Sequence, residues 1–176
     1  GSLRRKFLLA MDEKAYEIAE IRGNIESRIA KLDTEGFDAI ILSRAAIDRL
    51  DLSIGLEGRI IDLDEEAFLP SPCQGVIALE VNKENHELKK MLKSIQIEKT
   101  DFEVGIERAF LAESGASCNK PLGINVVSEK DKAQVKAFMA SDDLKRYRFI
   151  NFDTDKENYL ADVKKNTEVI KGDIDV

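Results

Sequence analysis

Lys132-Ala133-Gln134-Val135-Lys136-Ala137-Phe138-Met139-Ala140 alternates polar and apolar residues over nine positions, the period of a strand with one face in a core and one toward water. A strand of this kind needs neighbours, because an isolated ribbon leaves its backbone donors and acceptors unpaired. Two flanking stretches qualify, Leu122 to Ser128 and Tyr147 to Phe152, and together they predict a three-stranded antiparallel sheet. Helical patterns over Glu84 to Ser94, Asp101 to Ala112 and Lys156 to Ile170 surround it, so residues 82–176, where lysine becomes frequent, read as a small α+β unit.

Working back toward the N-terminus, the pattern changes. Ser2 is placed as the N-cap of a helix over Leu3 to Lys14, with Leu3, Phe7, Leu8 and Met11 on one face. Glu17 to Arg22 reads as a short strand, Gly23-Asn24 as a turn and cap, and Ile25 to Asp33 as a helix. Phe37-Asp38-Ala39-Ile40-Ile41-Leu42 is the near-continuous apolar run of a strand buried on both faces of a parallel sheet. Ser43 to Leu50 reads as a further helix and Arg59 to Asp62 as one more strand. This order predicts a βαβ domain over residues 1–72 whose first strand lies before residue 1. Phe68-Leu69-Pro70-Ser71-Pro72 then interrupts it, two prolines forcing extended backbone, and Val76 to Glu80 reads as a buried strand. The expected fold class is thus α/β followed by α+β.

Charge and composition narrow the function. The chain of 176 residues carries a formal net charge of −7, and no basic face is evident, which argues against a nucleic-acid partner. No run approaches the roughly 18 apolar residues of a membrane span, and no signal segment opens the chain, so a cytoplasmic protein is expected. Cys73 and Cys118 form no CxxC, and His86 is the one histidine, so neither a zinc site nor a Ser-His-Asp triad is expected. Seven of the ten arginines fall in the first 80 residues, against three of the seventeen lysines. Arginine suits bidentate recognition of carboxylate or phosphate, so the skew points to an anionic small ligand.

Two helix starts carry the pattern. Arg4 and Arg5 occupy a first turn, where the helix dipole disfavours cations unless an anion docks there; Arg22 and Arg28 flank the second helix start, beside Gly23. Solvated arginines on helix faces are the alternative, and the spacing alone leaves both open. The loop Gly115-Ala116-Ser117-Cys118-Asn119-Lys120-Pro121-Leu122-Gly123 presents a thiol among small residues. By itself such a cysteine reads as an inert small hydrophobe; the other reading is an accessible thiol that carries a group.

Taken in order, Ser2-Leu3-Arg4-Arg5, Ile21-Arg22-Gly23-Asn24-Ile25 with Arg28, Lys31-Leu32-Asp33, Phe37 to Leu42, Leu69-Pro70 with Gln74-Gly75, Glu107-Arg108-Ala109-Phe110-Leu111, and Cys118 with Pro121 and Gly123 resemble the porphobilinogen deaminase (hydroxymethylbilane synthase) family. The resemblance runs in register from residue 2 to about residue 127. It implies an enzyme of tetrapyrrole and heme biosynthesis, a transferase that joins four porphobilinogen molecules into a linear tetrapyrrole with release of ammonia. It also implies a dipyrromethane cofactor in thioether linkage to Cys118. Ser2, Arg4, Arg5, Arg22, Gly23 and Gln74 match positions that bind the cofactor, and Arg4, Arg5, Arg22 and Arg28 those that hold pyrrole carboxylates.

The same resemblance implies an architecture. Residues 1–72 correspond to most of a second domain, similar to periplasmic binding proteins; residues 73–81 to a strand returning to a first domain; and residues 82–176 to a third domain bearing the cysteine loop. The family's catalytic aspartate lies in that first domain, so no catalytic residue is assigned in this chain, and the 176 residues alone are expected to be inactive and to need domain one as partner. The complete enzyme is expected to be a monomer that binds porphobilinogen and the oligopyrrole chain. Ala116, Ser117, Asn119, Lys120 and Cys73 depart from the family pattern, the first two replacing glycines, so a stiffer loop is expected. The competing reading is a non-catalytic module of the same fold that binds polycarboxylate anions.

Overall fold

The computed structural model describes residues 2–12, 14, 16–52, 56, 58–115 and 120–174. Its organising element is an antiparallel sheet in the order β1 (Leu122–Glu129), β2 (Lys132–Ala140) and β3 (Tyr147–Asp155). The register places Val126 opposite Val135 and Val135 opposite Phe152, and Lys130-Asp131 closes the first hairpin with Lys130 at φ +56°. This is the predicted three-stranded sheet, with β3 running three residues past its expected end.

Two long helices cover one face of the sheet, α5 (Glu98–Ser114) and α6 (Tyr159–Ile174). Phe102, Ile106 and Phe110 of α5 meet Val163, Ile170 and Ile174 of α6 over Ile124, Val135, Ala137 and Ile150 of the strands. The spacing i, i+4, i+8 on α5 and i, i+7, i+11 on α6, with the buried Thr167 between, keeps each set on one helical face, the face that is buried. Polar pegs fix the docking. Glu103 Oε1 accepts from both the backbone N–H (2.8 Å) and the hydroxyl (2.9 Å) of Ser128, and Thr154 donates to Asp162 at 2.7 Å. Gly115, at φ +64°, ends α5 in the left-handed conformation that glycine adopts at little cost.

The opposite face of the sheet is closed at one end by α1 (Leu3–Ala10). Phe7 stacks on Phe138 with ring centroids 5.0 Å apart, Phe138 stacks on Phe149 at 5.1 Å, and Leu8, Leu69 and Ala140 complete the cluster. The alternation of β2 holds from Lys132 to Val135 and gives way to continuous burial from Ala137 to Ala140. The second half of that strand is covered on both faces, which the run Ala-Phe-Met-Ala reflects.

The remaining helices are α2 (Ile25–Thr34), α3 (Arg44–Arg49) and α4 (His86–Lys93). Ser2 and Asn24 cap as expected: Ser2 Oγ accepts from the Arg5 N–H at 3.4 Å and Asn24 Oδ1 from the Ser27 N–H at 2.8 Å. The first helix stops at Ala10, short of the expected Lys14; Glu13 and Ala15 lie outside the described residues. The larger difference concerns the parallel sheet. Glu17–Arg22, Phe37–Leu42, Arg59–Asp62 and Val76–Glu80 form no ladder among the described residues. Apolar runs report a tendency to be buried, but a strand exists only when another strand satisfies its backbone. Ile77 is accordingly 80% exposed and Leu79 58%.

Candidate functional site

The site is built on the starts of α1 and α2. Arg4 lies on the buried face of α1 and is only 6% exposed, a depth a charged side chain reaches only when hydrogen-bonded. Its Nη1 donates to the Leu69 carbonyl at 2.5 Å and its Nη2 to Gln74 Oε1 at 3.3 Å, and the guanidinium sits over the Phe68 ring, 5.8 Å from its centroid. Burial, with a smaller repulsion from Arg5, pushes its pKa down to about 10, so it remains cationic at neutral pH.

Arg5 takes the adjacent direction. Its Nη1 donates to the Ile41 carbonyl at 2.6 Å, so the stretch predicted as a central strand spends one of its acceptors on a side chain. Burial lowers the Arg5 pKa, and the positive charge of Arg28 lowers it further. Arg28 in turn donates through Nε to the Gly23 carbonyl at 2.7 Å, and Gly23 holds φ +120°, with Ser27 Cβ 3.0 Å from where a side chain would begin. Three guanidinium groups are thus linked by mutual repulsion, Arg4 to Arg5 and Arg5 to Arg28. Like charges are held together here by carbonyl acceptors, and a polyanion would relieve the repulsion.

The other sequence-predicted residues divide. Ser2 caps α1, and Gln74 contributes its side-chain oxygen to Arg4, so both belong to the same constellation. Arg22 points outward, 86% exposed, and pairs with the exposed Glu20 at 3.4 Å. Cys118, with Ala116, Ser117 and Asn119, lies outside the described residues. The residues on either side, Gly115 and Lys120, line a cleft of about 400 Å³ together with Arg146 and Lys171. Lys120 pairs with Asp142, which also lines the cleft, at 2.6 Å. The sequence reading missed the Leu69 and Ile41 carbonyls and the Phe68 ring. Only the proximity of Phe68-Leu69 to Gln74 in the chain hinted at them, because each contact spans 36 residues or more.

Chemically, the arrangement offers fixed, dense positive charge with carbonyl backing. It suits a ligand carrying several carboxylates, and such a donor set fits the acetate and propionate groups of a dipyrromethane. Among the described residues no group of histidine, cysteine and carboxylate side chains could hold a metal ion. Among the same residues no helix is long and apolar enough to cross a membrane.

Comparison with known proteins accords with this geometry. A family profile, porphobilinogen deaminase, dipyromethane cofactor binding domain, matches residues 1–90. The porphobilinogen deaminase of Clostridium novyi is 36% identical over 143 residues, which is 81% of this chain and 48% of the relative. A probable porphobilinogen deaminase of Thermoplasma volcanium is 35% identical over 170 residues, 94% of this chain and 56% of the relative. That of Limosilactobacillus reuteri is 35% identical over 141 residues, 80% and 46% respectively. The chain spans about half the length of these curated relatives, and it belongs to the porphobilinogen deaminase family.

Proposed function

We propose that this chain is the arginine-lined, cysteine-bearing portion of a hydroxymethylbilane synthase. The observation that carries the reading is the coupled set Arg4, Arg5 and Arg28, two of them substantially buried, at the starts of α1 and α2. A pyrrole built from porphobilinogen bears two carboxylates, so each addition to a growing oligopyrrole raises the negative charge in one cleft. Arg5 and Arg28 hold that charge, and Arg4 fixes the shape of the cluster through Leu69 and Gln74. Arg22, exposed and paired with Glu20, exchanges that partner for pyrrole carboxylates as the chain lengthens.

Cys118 is the proposed anchor, forming the thioether to a dipyrromethane; when bound, that group supplies the primer to which pyrroles are added. Tethering keeps the chain from leaving between additions and makes each coupling effectively intramolecular. In this reading residues 1–72 are most of a domain resembling periplasmic binding proteins, residues 73–81 a strand shared with a preceding domain, and residues 82–176 the anchoring domain. The acid-base group belongs to that preceding domain, so the chain alone does not turn over, and the complete enzyme is a cytoplasmic monomer.

Intact mass spectrometry of the chain and of Cys118→Ser tests the anchor. An adduct of dipyrromethane mass on the first and not the second is expected; an adduct that persists in Cys118→Ser contradicts it. Sustained formation of hydroxymethylbilane from porphobilinogen by the purified chain would overturn the proposed inactivity.

A further inference from the structure

Glu107 lies on α5, in the helix that forms the roof of the sheet, yet its side chain reaches away from the apolar core. Its Oε2 accepts the backbone N–H of Cys73 at 2.5 Å, a donor 34 residues away in sequence. Cys73 holds φ +59°, a left-handed conformation that is strained for a side-chain-bearing residue and persists only where surrounding structure enforces it. The turn around it is otherwise tied by its own bonds: Gln74 N–H to the Ser71 carbonyl at 3.0 Å, Ser71 N–H to Gln74 Oε1 at 3.5 Å, and Val76 N–H to the Cys73 carbonyl at 3.2 Å.

What this turn presents is the buried guanidinium's second acceptor. Gln74 Oε1 receives Arg4 Nη2, while Leu69, at the start of the same segment, receives Nη1. The Leu69 end is clamped independently, by the Ile124 N–H donating to the Pro70 carbonyl at 3.0 Å. Among the described residues, the Gln74 end meets the rest of the fold, besides Arg4 itself, at Glu107, which accepts the Cys73 N–H and also hydrogen-bonds the Cys73 side chain. We infer that Glu107 is a positioning residue for the arginine cluster: by accepting the Cys73 N–H it fixes the 71–75 turn, and so the orientation of Gln74 against Arg4. The role of the cluster itself rests on the function proposed above; the link from Glu107 to Arg4 does not.

The chemistry requires an acceptor at that point, not a charge. Burial pushes the Glu107 carboxyl pKa up, and Glu103 on the same helix adds to this, while the Cys73 N–H works the other way. A glutamine side chain offers the same carbonyl oxygen without the buried charge; leucine offers neither.

The test reads Arg4 directly and uses no ligand. In the nitrogen-proton NMR spectrum, buried and doubly bonded guanidinium protons of Arg4 exchange slowly with water, and Arg4→Lys assigns them. Glu107→Leu is expected to accelerate exchange of the Arg4 Nη protons at least tenfold while amides of β1 and β2 keep their protection. Glu107→Gln is expected to stay within about twofold of the parent. Arg4 exchange unchanged in Glu107→Leu, with the sheet protected, overturns the inference. So does a Glu107→Gln chain whose Arg4 protons exchange as fast as in Glu107→Leu. If Glu107→Leu does not fold, the glutamine variant decides: accelerated exchange in a folded Glu107→Gln chain contradicts the inference, and retained exchange with the Cys73 amide still protected upholds it.

Discussion

Residues 98–174 and residues 2–97 of this chain were equally rich in strand signals, and only the first stretch turned them into a sheet. In the C-terminal unit every strand has a partner, and side chains such as Ile106, Ile124, Phe138 and Val163 are wholly buried. In the N-terminal stretch the described residues include three α-helices before Pro70 but no ladder, and apolar side chains such as Ile61 and Ile77 face water. The difference is one of closure. The sheet of β1, β2 and β3 is complete within 34 residues, through two short connections, whereas the parallel strands expected upstream need crossovers and a central neighbour that these residues do not supply. What the N-terminal stretch does build is local: capped helix starts that hold arginines, tied to the sheet through Phe7, Leu8 and Leu69.

The contrast can be broken most severely at Phe138, which is fully buried between Phe7 and Phe149. Phe138→Ala is expected to cost about 3–5 kcal/mol in urea unfolding, the range for truncating a buried aromatic. Ile77→Ser, in the unpaired stretch, is expected to change stability by no more than about 0.5 kcal/mol. Comparable losses at the two positions would show that residues 76–80 are packed after all.

A sharper probe sits where the two regions meet. A Cβ on Gly123 would lie 2.6 Å from Phe138 Cε1 and 3.0 Å from the carbonyl oxygens of Leu69 and Pro70. The ring could shift, but two backbone carbonyls could not, so Gly123→Ala is expected to destabilise by about 1–3 kcal/mol and to loosen the 69–70 segment from β1. An unchanged midpoint would mean that the two regions are not in close register there.

The smallest effect concerns charge. Burial raises the Glu107 pKa above its ordinary value of 4.5, so the folded chain holds that proton more tightly than the unfolded chain does. Stability from this group is present below the unfolded pKa and is lost as pH rises through the folded one. Glu107→Gln lacks that loss. Its stability relative to the parent is therefore expected to rise between about pH 4.5 and neutrality, read by urea unfolding at both ends of that window. A difference that stays flat with pH would show that the carboxylate is not buried.

Much of this was legible in the sequence, and the rest failed for identifiable reasons. The caps Ser2 and Asn24 and the ends of β2 could be read from local chemistry, because capping and alternation are set by neighbours in the chain. The hairpin registers formed no part of that reading; in the structure they match the face each apolar residue takes. The expected strand at Phe37 to Leu42 went wrong because pairing is decided by a neighbour that the local run does not specify. The acceptors of Arg4 and Arg5 were out of reach for a different reason: backbone carbonyls look alike in a sequence, so nothing marks Leu69 or Ile41 as the one an arginine 65 or 36 residues away will find. The arginine pattern itself was visible, and the structure added that Arg4, Arg5 and Arg28 are coupled while Arg22 is turned to solvent.

The proposed function turns on those coupled guanidinium groups acting as a seat for carboxylates. Calorimetric titration of the chain with porphobilinogen, beside Arg5→Met and at two salt concentrations, tests this most directly. Binding that weakens with added salt and falls at least tenfold in Arg5→Met is the expected result. Binding of equal strength in Arg5→Met, or indifferent to salt, would contradict it.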